Sequence, residues 1–207
     1  MPNLEPIFQP TVLQVEGPAS RLVLVYPMTV QDDADQLKAM TAPEFLEHLP
    51  MMNPNMTLAD IAARREKQAA DGIYKVFRIN NRETGEFIGS CGMYRIEMEN
   101  FAYDCGLTIL GQFHRSGFAT EALFLILDHG FQLGFNRTTF VTNANNTGMR
   151  KWLENAAGAT LEGTFRQSWR DDRIDGFVDS VMYAILRSEW EGGMREKLLT
   201  KIQSYRQ

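Results

Sequence analysis

Cysteine is scarce in this chain. Cys91 and Cys105 are the two present among 207 residues, and they form no CxxC pair and have no histidine-rich neighbourhood. That pattern argues against a disulfide framework and against a zinc site, so the expectation is no metal and a reducing compartment. Positive charge is also in short supply. Lys and Arg number 21 against 26 Asp and Glu, a net charge of −5, and no basic run appears. A nucleic-acid partner normally requires a clustered cationic face, so none is expected. Long apolar runs are missing too. No stretch reaches the ~20 apolar residues that cross a bilayer, and the opening "MPNLEPIFQPTVLQVEG" has no apolar segment of signal-peptide length. The expectation is a cytoplasmic protein with no membrane partner. Two familiar phosphate loops are absent as well: there is no Gly-Lys-Ser/Thr and no Gly-x-Gly-x-x-Gly.

What is present is ordinary globular material. Hydrophobic residues make up 44% and charged residues 23%, with 13 Phe, 6 Tyr and 3 Trp. That composition supports one sizeable core and excludes disorder. The length suits one domain with extensions. Residues 1–20 read as an extended N-terminal arm, 21–190 as the domain, and 191–207 as an amphipathic helix after the Gly192-Gly193 break. "RLVLVYP" reads as a strand. Thr29 with Asp32, Thr41 with Pro43 and Glu44, and Thr57 with Asp60 each mark a helix start. "IYKVFRIN" and "EFIGSCGMYRIE" make a hairpin, followed by the strand "AYDCGLTIL". From Gly117 the apolar spacing changes: Leu123, Ile126, Leu127 and Phe131 fall three or four apart, one face of a helix. "RTTFVTN", a short helix over "GMRKWLENAAG", and the strands "ATLEGTFRQSW" and "FVDSVMYAIL" complete the series. The order is β-α-α-β-β-β-α-β-α-β-β plus a terminal helix, which predicts an α/β fold. Its centre would be a mixed sheet of about seven strands with helices on both faces. The stripe of Met194, Leu198, Ile202 and Tyr205 could dock on its own chain or build a homodimer with a second copy.

"GQFHRSGFATEAL", Gly111 to Leu123, joins a strand to that central helix. A strand-helix-strand unit of this length implies two parallel neighbours with a right-handed crossover, and ligands sit beyond the carboxyl ends of such strands. The first helical turn carries unpaired N–H groups that attract phosphate. Gly117 can turn several amides inward and lets an anion approach closely. Arg115 can add a charge-assisted bond. Taken alone, such a loop reads first as an ordinary helix cap.

The loop is not alone. Its wording, "HRSGFATEAL", resembles the Gln/Arg-x-x-Gly-x-Gly/Ala loop of the GNAT N-acetyltransferase superfamily, with Gly117 and Ala119 in the two small positions. "RLVLVYPMTVQDDADQL", "NRETGEFIGSCGM", "AYDCGLTI", "WLENAAGATLEGTFRQ" and "DGFVDSVMYAILRSEW" resemble segments of its ribosomal-protein-alanine-acetyltransferase-like branch, in that branch's order. The resemblance implies a GNAT fold and an acetyl-CoA cosubstrate. It implies that His114, Arg115, Ser116, Gly117, Phe118, Ala119 and Thr120 hold the pyrophosphate. It places the pantetheine arm along Ile109, Leu110 and Gly111 as an added strand. Asn145 or Asn146, the latter preferred, would reach the same arm. Two departures stand out: His114 replaces the usual Gln or Arg, and the segment from Asn146 to Gly158 is one residue longer than the family pattern.

Acetyl transfer from a thioester to an amine needs a deprotonated amine, a donor for the developing oxyanion and an acid for the leaving thiolate. A main-chain N–H of "GLTIL" can supply the oxyanion donor. Glu97, Glu99 and Asp104 are the candidate bases. Asp104, which matches the family carboxylate before the strand glycine, is the chosen one, beside a water relay. The family's tyrosine acid is replaced by Leu153, leaving Tyr183 or Tyr94. His129, next to Asp128, reads as solvated. The expected activity is acetyl-CoA-dependent N-acetylation of a primary amine, on a protein N-terminus or a small molecule, by direct attack in a ternary complex. A non-catalytic acyl-CoA sensor and a generic anion-binding scaffold are the alternatives.

Overall fold

The computed structural model of the chain describes residues 5–17 and 20–205. The parts of the arm and tail at 1–4, 18–19 and 206–207 lie outside them. Eight strands form one mixed sheet in the order β1-β2-β3-β4-β5-β6-β8-β7. They are β1 (Thr11–Leu13), β2 (Leu22–Tyr26), β3 (Lys75–Asn81), β4 (Phe87–Glu97), β5 (Ala102–Ile109), β6 (Arg137–Asn143), β7 (Thr160–Asp171) and β8 (Gly176–Leu186). The helices are α1 (Asp33–Met40), α2 (Pro43–His48), α3 (Leu58–Asp71), α4 (Phe118–Gln132), α5 (Thr147–Lys151), α6 (Arg187–Glu189) and α7 (Arg195–Ser204).

The sheet has one strand more than the sequence suggests, because part of the arm joins it. Thr11 to Leu13 pair antiparallel with Leu24 to Tyr26, while Ile7 and Val15 are buried. Lys75 fastens the arm by donating from Nζ to the Ile7 carbonyl and to Thr11 Oγ1, the latter at 2.8 Å. Two of the three expected helix starts are capped as their spacing predicts; Thr41 instead closes α1, its Oγ1 donating to the Leu37 carbonyl at 2.8 Å, and α2 starts at Ala42 and Pro43 without a side-chain cap. Thr29 N–H donates to Asp32 Oδ2 at 2.6 Å and Thr57 N–H to Asp60 Oδ2 at 2.8 Å.

Side chains alternate across a strand, and that alternation sorts the two layers. Phe77, Cys91, Met93, Tyr103 and Cys105 share a core with α4, where the Tyr103 hydroxyl reaches the Ile126 carbonyl. Their neighbours Val76, Ser90, Tyr94 and Thr108 face the cavity beneath α1 and α3. The outer side of α4 is also covered, so Leu123 through Leu127 are all buried. Trp190 packs 5.6 Å from both Phe124 and Phe131, and Leu198 and Ile202 of α7 are fully buried. The terminal helix therefore docks on its own chain.

His129 is not solvated. It turns inward, with its ring edge-on to Phe77 at 6.0 Å and its Nε2 buried without a partner among the described residues. Burial, reinforced by the nearby Lys75 charge, pushes its pKa down to about 4. Polar Asp128 beside it had suggested otherwise. Asp128 instead takes Arg195 of α7 at 2.7 Å, which leaves the next position to face the core.

Candidate active site

β5 and β6 are the sheet's one parallel pair, and they stay together only briefly. The register runs Ala102 to Arg137, Tyr103 to Thr138, and Asp104 to Thr139. Beyond that rung β6 continues with β8 as far as Asn143 against Ser180, and β5 continues with β4 as far as Ile109 against Gly89. The two strands have parted, and a wedge opens between them. Along β5 hydrogen bonding alternates from side to side. Leu110 N–H donates to the Ile88 carbonyl at 3.0 Å, so Leu107 and Ile109 turn their polar groups toward the wedge. Ile109's carbonyl is taken by His114 Nε2 at 2.9 Å.

Asp104 holds the apex of the wedge. One oxygen accepts from Thr139 Oγ1 and the other pairs with Arg95, so both are engaged. Glu97 binds Asn100 at 2.8 Å on the exposed β4–β5 turn, away from the wedge.

The loop after β5 ends in α4. Gly111 to Phe113 form a single 3-10 turn, Arg115 has φ +60° and Gly117 has φ +84°. These two left-handed residues reverse the chain direction before the helix, which suits Gly117 and costs Arg115 some strain. Ser116 Oγ donates to the Phe113 carbonyl at 2.6 Å and accepts from Phe118 N–H at 3.3 Å. Glu121 N–H reaches the Gly117 carbonyl at 3.2 Å. Among the described residues the amides of Arg115, Ser116, Gly117, Ala119 and Thr120 take no partner. Free N–H groups at a helix N-terminus can attract an anion.

Two residues that the sequence did not single out brace this loop. Glu121, fully buried, accepts from the backbone of Arg21 at 2.8 Å and of Leu22 at 3.0 Å, and from Arg21 Nε at 3.3 Å. Arg21 in turn donates Nη1 to the Ser116 carbonyl at 2.8 Å, while its Nη2 is buried without a partner among the described residues. The guanidinium lies between the rings of Phe118 and Tyr205, 4.7 and 5.4 Å from their centroids. A Cβ on Gly117 would meet the Tyr205 ring at 2.7 Å, so the glycine is needed for packing as well as for φ. No local pattern signals Arg21, because its partners lie about 95 to 100 positions away.

The asparagines divide. Asn146 caps α5, accepting from Met149 N–H at 3.1 Å and donating to Thr142 at 3.0 Å. Asn145 is exposed and its side chain makes no recorded bond among the described residues. Asn143, unremarked in the sequence, is buried and accepts from Asn145 N–H at 2.9 Å.

On the α1/α3 face of β4 and β5 a cavity of about 430 Å³ opens. Leu107, Thr108 and, across the wedge, Val141 line it, so it is continuous with the parted strands. Tyr94 lines it with its ring against Gly106, where a Cβ would sit 2.8 Å from a ring carbon. Burial pushes the Tyr94 phenol up and keeps it protonated. Tyr183 sits elsewhere. Its hydroxyl is bound by Glu154 and by Arg150 at 3.1 Å, and burial, then the Glu154 bond, raises its pKa. Leu153 is fully buried. Asp171 and Arg173 of the β7–β8 turn pair at 2.7 Å, and Arg173 reaches the Glu47 carbonyl on α2 at 3.2 Å. The turn thus borders the helices above the cavity.

A sequence model of the family described as Acetyltransferase (GNAT) domain matches residues 21–158. The chain belongs to this family. Among the relatives of this GNAT chain is a Bacillus licheniformis protein named Uncharacterized N-acetyltransferase p20. It is 32% identical over 118 residues, which are 56% of this chain and 64% of the relative. The chain therefore matches less than two thirds of that protein's length. Mycobacterium smegmatis RimJ, solved with CoA-disulfide, shares the fold at a TM-score of 0.75 and 22% identity, over 93% of each chain. A GCN5-related N-acetyltransferase from Brucella melitensis superposes at 0.75 with 21% identity, over 93% of this chain and 85% of that one. Among the described residues no helix is long and apolar enough to cross a membrane, and no His, Cys, Asp and Glu group could hold a metal.

Proposed function

We propose that this GNAT chain is an acetyl-CoA-dependent N-acetyltransferase acting on a primary amine by direct attack in a ternary complex. The observation that carries the reading is the succession of two stretches of open backbone. The wedge side of Leu107 and Ile109 leads, through the turn at residues 110–114, to the amides of Arg115, Ser116, Gly117, Ala119 and Thr120, which have no partner among the described residues. A diphosphate with an extended amide-bearing arm fits that shape: anion on the helix end, arm along the open strand. Arg21, whose buried Nη2 has no partner among the described residues, adds a cation beside the loop. The bound cosubstrate would supply an acyl group activated as a thioester.

The chain's own residues then have defined tasks. Leu107 N–H, facing the wedge, donates to the thioester oxygen as it gains charge. Tyr94, protonated and lining the cavity next to the wedge, is the candidate donor to the leaving sulfur. Asn145 is the free asparagine that can reach the arm. Asp104, with both oxygens engaged, positions the apex, and the amine proton leaves through water in the open cleft. Burial drives both cysteine thiols up, so neither offers a thiolate for a covalent acyl intermediate.

The reading is tested by equilibrium binding of acetyl-CoA together with free-thiol release on an amine panel. R115E is the informative variant, because Arg115 is exposed and has no side-chain partner among the described residues. It should weaken acetyl-CoA by about tenfold or more with little change in melting temperature. Unchanged affinity would remove the loop from the cosubstrate site. Tight acetyl-CoA binding without thiol release on any amine would favour the sensor reading, which the engaged Asp104 and the leucine at position 153 motivate.

A further inference from the structure

We propose that the acceptor is a small amine whose body is apolar and which also carries a carboxylate, and that Arg64 reads that carboxylate. This rests on the cavity being the acceptor side of the proposed acetyltransfer centre.

The cavity wall is mostly apolar and pliable. Met28, Met40, Phe45, Leu49, Met52 and Tyr74 form it, and methionine-rich surfaces adapt to irregular apolar shapes. Its volume of about 430 Å³ suits a small molecule. The charged groups are more selective. Two carboxylates line the cavity and both are committed: Asp33 is held in a two-bond fork by Arg65 at 2.9 and 3.1 Å, and Asp104 by Arg95 and Thr139. Three guanidinium groups line it, and Arg64 makes no ion pair among the described residues. It lies close enough to Tyr94 for its charge to favour the phenolate, so the uncompensated charge is felt near β4. Gln36 adds an acceptor, since its Oε1 is buried without a donor among the described residues.

Among the described residues a polyamine or an amino sugar would meet no free carboxylate here and would face Arg64, which has no ion-pair partner. Like charge at that range costs affinity and selects against such ligands. An acceptor carboxylate would balance Arg64 through charge-assisted bonds. An acceptor N–H can satisfy Gln36, and an apolar body replaces water along the methionines.

The experiment is calorimetric titration of the full chain loaded with CoA, which binds but cannot acetylate. L-phenylalanine is compared with 2-phenylethylamine, and L-methionine with 3-(methylthio)propylamine, each pair differing in the carboxylate. Spermidine and an amidated tripeptide are added. The expected result is that at least one amino acid binds about tenfold or more tighter than its decarboxylated partner. Spermidine should be weakest, and R64Q should bring the ratio close to one. Equal affinities within both pairs, a ratio untouched by R64Q, or no binding by either amino acid would overturn the proposal. Tighter binding by spermidine or by the amidated tripeptide would also overturn it, the latter in favour of a protein N-terminus. Thiol release with acetyl-CoA is read separately. A carboxylate preference without turnover on any amine would fell the acetyltransfer reading alone, and turnover on spermidine without the preference would fell this one alone.

Discussion

Asp104 and Thr139 occupy the last rung before β5 and β6 separate, and their contact fixes where the wedge begins. In D104N the amide keeps an oxygen for Thr139 but loses the charge that holds Arg95. A positioning role predicts a lower kcat across the whole pH range with the shape of the pH–rate profile unchanged. A base role predicts that the acid-side limb disappears, and that result would return Asp104 to the chemistry. His129 makes a second residue-scale prediction. Its folded pKa is about 4 against 6.5 for the free side chain, so the unfolded chain binds the extra proton between those values. The stability that depends on neutral His129 is present above pH 6.5 and is lost as pH falls toward 4, at a slope of up to ~1.4 kcal/mol per pH unit. Urea denaturation of H129L across that window should lack this one-proton component. If the wild-type chain and H129L show parallel pH dependence, the buried, neutral His129 is refuted.

At the scale of elements, α7 contributes Leu198 and Ile202, fully buried against the α4 layer. L198A should cost about 2–5 kcal/mol by lost burial and a residual cavity, read as a shift in the urea midpoint at constant slope. A change under about 0.5 kcal/mol would mean that the terminal helix is not packed as described. Elements whose signal is periodic were legible in the sequence: α4 from Leu123, Ile126, Leu127 and Phe131, the hairpin of β3 and β4, and the capped starts of a 3-10 turn at Thr29 and of α3 at Thr57. β1 was not legible. Three residues with a single sheet partner carry too little pattern, and Ile7 and Val15 are buried by contacts that form only once Lys75 and β2 are in place. The loop from His114 to Thr120 was readable as a short motif, whereas Arg21 and Glu121 behind it were not, because their bonds span a hundred residues. The family resemblance implies a cosubstrate arm along Ile109 to Gly111. The structure faces Leu110 toward β4 and leaves Leu107 and Ile109 on the open side, a parity set by the β4 register rather than by any local pattern.

For the whole molecule, the sheet divides the labour between its faces. α4 on one side presents bare amides at its start and buries its length in the core. α1 to α3 on the other side roof a cavity that reaches the same wedge. The parted strands are where the two faces communicate, so a cosubstrate seated from the α4 end and an acceptor entering beneath α1 would meet at Leu107. The cavity takes its lining from α1, α2, α3 and five strands, and this dispersal is why its charge balance could not be read along the chain. The most direct test is a titration of the 15N-labelled protein with acetyl-CoA, followed by amide NMR. The account predicts the largest shifts at Arg115, Ser116, Gly117, Ala119 and Thr120, with Leu107 and Ile109 moving in the same titration. Saturable binding that leaves those amides unmoved while another surface responds would contradict it.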